Sequence, residues 1–350
     1  MYEQGVIRPP SEAASLLVRV TRNCPWNQCT FCPAYKGTRF SRRSVEEIKS
    51  DIDAMAKECR GYSWVHSAFL QDADSMVVPT VDLVEILRYL REKFPSLKRI
   101  TSYARARTLK RKSPGEMIQL REAGLNRIHV GMESGSATVL KLIKKGLRPD
   151  EIIEGGRRVV EADISLSEYI MPGIGGRTYS EEHARETARM LNHIKPDFIR
   201  VRTFAMHPLS PMAKMAEEGT FVPMNDQEIV AEIRLLVDCL EPMHSYFSSN
   251  DFSLNLLMQV DGYLDEKKDV MLRDLDDFLS LSEIQKKTYI FLQRLGYERY
   301  PVSAARDEQV LEQVIPEVEK LEKCGKDGFD KYIQMVMSYQ LPQPQTENWA

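Results

Sequence analysis

Short apolar runs alternate with amphipathic helical patterns through the first two thirds of the chain. Six runs read as strands: Ser15–Thr21, Val65–Leu70, Arg99–Ser102, Arg127–Val130, Leu166–Met171 and Phe198–Arg202. The segments between them repeat apolar residues at helical spacing. Several of these open on a chemical start signal. Ser44 with Glu47 forms a capping box before VEEIKSDIDAM, each side chain accepting from the other residue's backbone N–H. Ser113 with Glu116 repeats the device and adds Pro114 at the first helical position. Asn225 with Glu228 opens a long helix through Leu240 in a similar way. Six β–α units in a row predict parallel strands covered by helices, as an open or partly closed barrel. In such folds the chemistry sits on the loops after the strand C-termini. Near Gly219 the alternation fades, and a more helical segment runs to about residue 340. The pattern therefore predicts a lead over 1–11, the barrel over 12–220, a helical region covering the substrate over 221–340 and a loose polar tail over 341–350.

The 350 residues are 43% hydrophobic and 28% charged, enough for one large core or two modest ones. A net charge of −3 offers no global attraction to nucleic acid or an anionic membrane. There is no apolar run of transmembrane length, and the N-terminus lacks the short apolar stretch of a secretory signal. A soluble, cytoplasmic protein is expected.

Cysteine usage changes the picture. Cys24, Cys29 and Cys32 crowd into nine residues, while Cys59, Cys239 and Cys324 stand alone in helical patterns and read as buried thiols. A tight cluster in an ordinary-sized cytosolic chain reads as a metal site rather than as bridges. The cluster follows the first strand as Arg22-Asn23-Cys24-Pro25-Trp26-Asn27-Gln28-Cys29-Thr30-Phe31-Cys32. Three thiolates on one short loop suit three irons of a cubane and leave the fourth iron open to a substrate. Structural zinc, the competing reading, wants four ligands, usually as two separated pairs. No further cysteine pair and no nearby downstream histidine supplies them.

This loop resembles the signature of the radical S-adenosylmethionine (SAM) superfamily, with Phe31 just before the last cysteine. It departs from the family's usual three residues between the first two cysteines by having four. The later strands carry the resemblance further, over roughly residues 12 to 205. Gly131-Met132-Glu133-Ser134-Gly135-Ser136 and the following run to Lys145-Gly146 resemble the subgroup of methylthiotransferases, elongator-type enzymes and oxygen-independent coproporphyrinogen oxidases. The resemblance implies a partial (β/α)6 barrel with a mainly helical C-terminal extension, a [4Fe–4S] cluster on Cys24, Cys29 and Cys32, and SAM on its open iron. It further implies SAM contacts at Glu133 and Lys145 and at Gln71, Asp72 and Ala73 after the second strand. Glu168 and Gly173, in the strand-then-glycine element Glu168–Gly176, would border the adenine. The implied chemistry is reductive cleavage of SAM to a 5′-deoxyadenosyl radical, with a one-electron donor such as flavodoxin or ferredoxin as partner.

The substrate is expected to be a small molecule. Its candidate contacts are Arg105, beyond the third strand, Arg202 and His207, at and beyond the sixth, and Asn255. Asn255 belongs to Tyr246–Leu257, a stretch without helical period that reads as a loop closing over the cavity, with Asn250 and Asp251 as further contacts. His66 and His129 lie in strand patterns and read as core. A haem- or cofactor-carrying chaperone without catalysis is the alternative. A tRNA-modifying enzyme is a second alternative, suggested by the basic stretch Lys98–Lys112 with Tyr103 among its arginines.

Overall fold

The computed structural model describes residues 2–5, 7–59, 65–250, 253–296 and 299–342. β1 (Leu16–Arg19) runs into a small antiparallel ribbon of β2 (Thr21–Arg22) and β3 (Ser41–Arg42). The main sheet continues through β4 (Ser67–Gln71), β5 (Arg99–Ala104), β6 (Arg127–Glu133), β7 (Ser165–Ile170), β8 (Phe198–Val201), β9 (Tyr246–Ser248) and β10 (Gly262–Tyr263). These strands stand side by side in chain order, from β1 at one edge to β10 at the other. Every neighbouring pair is parallel except β9 with β10. Spatial order equal to sequence order is what crossovers of one hand produce as they wind around a barrel. The two edge strands do not pair among the described residues, so the barrel is partial.

The crossovers carry α1 (Val45–Glu58), α2 (Thr80–Lys93), α3 (Ala106–Arg111), α4 (Pro114–Glu122), α5 (Ala137–Leu142), α6 (Pro149–Glu161) and α7 (Gly176–Ile194). The chain then adds α8 (Pro211–Glu217), α9 (Asp226–Cys239), α10 (Leu264–Leu279), α11 (Glu283–Leu295), α12 (Glu308–Glu322) and α13 (Gly328–Ser338). The three expected capping boxes are all formed, at Ser44–Glu47, Ser113–Glu116 and Asn225–Glu228. None of these helices is long and apolar enough to cross a membrane. One contiguous core reaches from Val18 to Met337, and a smaller cluster of Val139, Ile143, Met171, Ile174, Phe204, Met212 and Phe221 has Phe31 packed against it.

The fold differs from the sequence expectations at several places. Tyr246–Ser248 is a seventh parallel strand rather than a loop, with Phe247 fully buried. Three residues are too few to display an alternation. The N-terminal lead is bonded to the barrel. Glu3 bonds Arg19 and Arg22, the Gln71 side chain grips the backbone of Gly5 and Ile7, and Glu12 is buried beside His129. His66 is exposed and only His129 is core, while Cys59, Cys239 and Cys324 are partly or fully exposed. In the expected loose tail, Leu341 packs against the core; residues 343–350 lie outside the described residues, as does Asp251.

Candidate active site

The cysteine loop is shaped by its asparagines. Asn23 and Asn27 adopt left-handed backbone (φ 67° and 49°), which asparagine tolerates better than most residues. Their side chains then bond along the loop, Asn23 to the Arg39 carbonyl and Asn27 to the Tyr35 carbonyl. Lys36 Nζ donates to the Asn27 carbonyl at 2.8 Å, and Thr30 N reaches the Ile143 carbonyl at 3.0 Å. Cys24, Cys29 and Cys32 thereby open on one cavity of about 400 Å3 at the C-terminal end of the barrel. Burial pushes the Cys29 thiol up to about 11 and raises Cys32 as well. A bound metal reverses this by coordinating the thiolate.

Among the described residues, no three His, Cys, Asp or Glu side chains converge to hold a single ion. Three thiols facing one cavity are the donor set for a multi-iron cluster with one thiolate on each of three irons. The residues present fit a [4Fe–4S] group.

Opposite the loop, β6 ends in a bulge. Its register against β7 shifts between Gly131 and Glu133, and Glu133 takes φ 63°. Bulges re-aim side chains at strand ends. Here the Glu133 carboxylate enters the cavity and pairs with Lys145 Nζ at 2.9 Å. Gly131 leaves room for that pair: a Cβ there would sit 2.4 Å from Glu133 Oε1 and 3.1 Å from Lys145 Nζ.

The floor is aromatic. Tyr103 and Tyr169 line it, with His129 between them at ring distances of 5.9 and 5.6 Å. Burial raises the Tyr103 phenol well above its ordinary value and pushes Tyr169 up to about 12. Both keep their protons. Ile7–Pro9 from the N-terminal segment and Gln340–Pro342 after α13 complete the walls.

Of the expected site residues, Cys24, Cys29, Cys32, Phe31, Ala73, Arg105, Glu133, Lys145 and Arg202 line this cavity. The others do not. Gln71 is occupied by the N-terminal segment. Asp72 accepts from Arg19 Nη2 at 2.7 Å and from Asn23 N at 3.0 Å, so it holds the root of the cysteine loop. Glu168 is fully buried against α6, where a Cβ on Gly156 would lie 3.3 Å from its Oε1, and burial raises its carboxyl well above the usual range. Gly173 donates to Glu232 at 2.7 Å behind the cavity wall. His207 is buried, with Nδ1 accepting from Leu209 N. Asn255 is spent on the backbone: Oδ1 accepts from Thr203 N at 2.9 Å, and Nδ2 donates to the carbonyls of Val201 and Ser249. Sequence reasoning missed Trp26, Tyr35 and Tyr169 as cavity walls, together with Ile7–Pro9 and Gln340–Pro342, and read Tyr103 only as a stacking residue on the basic stretch. For Trp26 the signal was present, as a large aromatic inside the cysteine loop.

Residues 18–191 match the model of the radical SAM superfamily. The chain is 27% identical over 209 residues to the tRNA-2-methylthio-N(6)-dimethylallyladenosine synthase of Bacillus subtilis, covering 56% of this chain and 38% of that protein. It is 26% identical over 252 residues to the protein of that name from Hahella chejuensis, covering 65% and 51%. The chain thus spans between 38% and 51% of the length of these curated relatives. Among solved structures, the cobalamin-dependent S-adenosylmethionine radical enzyme OxsB superposes with a TM-score of 0.51 at 14% identity, over 96% of this chain and 59% of that one. At that identity the likeness is one of fold.

Proposed function

We propose, on the premise that this chain belongs to the radical SAM superfamily and is an enzyme using a [4Fe–4S] cluster and SAM, that it acts on a small molecule held over the Tyr103–Tyr169 floor. Cys24, Cys29 and Cys32 would hold the cluster. The Glu133–Lys145 pair and the backbone beside Ala73 would orient SAM, one charge of the pair for its ammonium and the other for its carboxylate. With both groups bound, one-electron cleavage of SAM supplies a 5′-deoxyadenosyl radical that takes hydrogen from the substrate. Phe31, Tyr103, Tyr169, Met171 and Phe204 exclude water from that step. In this reading residues 12–220 carry the chemistry and 221–340 cover the substrate.

The observation that favours a small molecule over RNA is where the basic stretch spends its charges. Arg99 pairs with Glu12, Arg107 with Glu151 and Lys110 with Glu154. Arg105 Nη2 donates to the Lys145 carbonyl, and Lys112 Nζ is buried on Val78 and Thr80. Lys98 and Arg111 stay exposed, too few for the continuous basic stripe that tracks a phosphate backbone.

The reconstituted protein would be given SAM, a reductant and either the small-molecule or the RNA fraction of a cell extract. Stimulation of 5′-deoxyadenosine release by the small-molecule fraction is expected. Stimulation by RNA alone would overturn the substrate class, and stoichiometric haem binding without SAM cleavage would favour the chaperone.

A further inference from the structure

The four residues between Cys24 and Cys29 include Trp26, and this side chain is tied to the opposite wall of the cavity. Trp26 Nε1 donates to the Lys144 carbonyl at 2.8 Å. Its six-membered ring lies against Gly146, where a Cβ would come within 2.2 Å of the ring carbon Cζ2 and where φ is +69°. Glycine is required there twice over, for the backbone and for the contact. On the same indole sits the Arg105 guanidinium, 5.0 Å from the ring centroid, which also donates to the Lys145 carbonyl at 2.8 Å. Lys145 in turn carries the ion pair to Glu133. An unbroken set of contacts therefore runs from the cysteine loop through Trp26 and the Lys144–Gly146 turn to Glu133.

We propose that Trp26 is a positioning residue that absorbs the additional residue of the Cys24–Cys29 spacing and locks the cysteine loop to the Lys144–Gly146 turn. The loop with its three thiols and the Lys145–Glu133 pair then move as one body. Pulling the indole off the turn loosens Lys145 and Glu133 without touching either. The assignment rests on the radical SAM reading for its consequence, SAM affinity, but not for the contact itself.

Two variants separate the roles. Trp26→Phe keeps a ring on Gly146 and loses the bond to Lys144; Trp26→Ala loses both. In the cluster-free protein, amide hydrogen exchange at residues 143–146 should quicken roughly three- to tenfold in Trp26→Phe, the value of one hydrogen bond, and further in Trp26→Ala. With the cluster reconstituted, Trp26→Phe should keep the wild-type iron content while its dissociation constant for SAM, read from the SAM-induced change in the electron paramagnetic resonance spectrum, rises by a similar factor. Exchange at residues 143–146 unchanged in Trp26→Ala overturns the lock. Quickened exchange with SAM affinity unchanged in Trp26→Phe overturns the coupling to Glu133. If wild type itself fails to bind SAM, the functional reading falls while the exchange measurement still decides the contact.

Discussion

Glu133 Oε1 lies 2.9 Å from Lys145 Nζ across the mouth of the barrel, and both side chains are about nine-tenths buried. The contact exists because the bulge in β6 turns Glu133 inward and Gly131 has no side chain to block it. Desolvation works against the Lys145 charge, but the Glu133 carboxylate and the Cys29 sulfur together raise the ammonium above its usual range. Both side chains line the cavity onto which Cys24, Cys29 and Cys32 open.

Breaking the pair on one side strands the other charge. Glu133→Gln leaves the Lys145 ammonium buried without its counter-ion, at a cost of about 3–5 kcal/mol in unfolding free energy. SAM binding should be lost in Glu133→Gln. Gly131→Ala, which pushes the same pair aside sterically, should weaken SAM binding at least tenfold, on the order of 1.4 kcal/mol. Titration with SAM alongside denaturant unfolding checks both. Unchanged SAM affinity in either variant contradicts the assignment.

Asn255→Ala should act on stability. Its amide joins Thr203, Val201 and Ser249 in a buried site, so the truncation strands several backbone groups and should cost about 2–4 kcal/mol. Denaturant unfolding reads this directly. An unfolding midpoint equal to wild type, with substrate turnover lost, would return Asn255 to the substrate.

Glu12 and His129 set the acid limb of stability. Burial opposes the Glu12 charge, but bonds with His129 and Ser15 and the Arg99 charge outweigh it and hold the carboxyl at about 2. Burial pushes His129 down to about 4, against the pull of Glu12 and with the charges of Arg200 and Arg127. Unfolded, these groups titrate near about 4.3 and 6.5. Both folded values are the lower ones, so the unfolded chain binds more protons and stability rises with pH through both windows. The His129 share is complete above about pH 6.5 and is lost toward pH 4, on the order of 3 kcal/mol; the Glu12 share is lost between about 4.3 and 2. Glu12→Gln should therefore lower stability at neutral pH and flatten the profile below about pH 4.5 relative to wild type. Parallel profiles for the two proteins, measured by denaturant unfolding from pH 3 to 8, would contradict this.

Local signals were legible because the forces behind them are local. The capping boxes at Ser44, Ser113 and Asn225 and the cysteine loop each depend on residues within ten positions. What a strand-end side chain faces is not local. β7 is buried on both faces, so SLSEYI carries no alternation, and Glu168 turns to α6 while its neighbour Tyr169 faces the cavity. Asp72 is claimed by Arg19 and Asn255 by Thr203, partners that lie 53 and 52 positions away. That Tyr103, His129 and Tyr169 form one aromatic floor was illegible for the same reason, since they meet only once three strands are side by side.

If Cys24, Cys29 and Cys32 hold a cluster that cleaves SAM, the chemistry must disappear with them. The direct measurement is anaerobic iron–sulfur reconstitution followed by SAM and dithionite, assaying 5′-deoxyadenosine in wild type and in a variant with all three cysteines changed to alanine. About four irons per chain and 5′-deoxyadenosine are expected in wild type, and neither in the variant. A single zinc, or a cluster that leaves SAM intact, would contradict this.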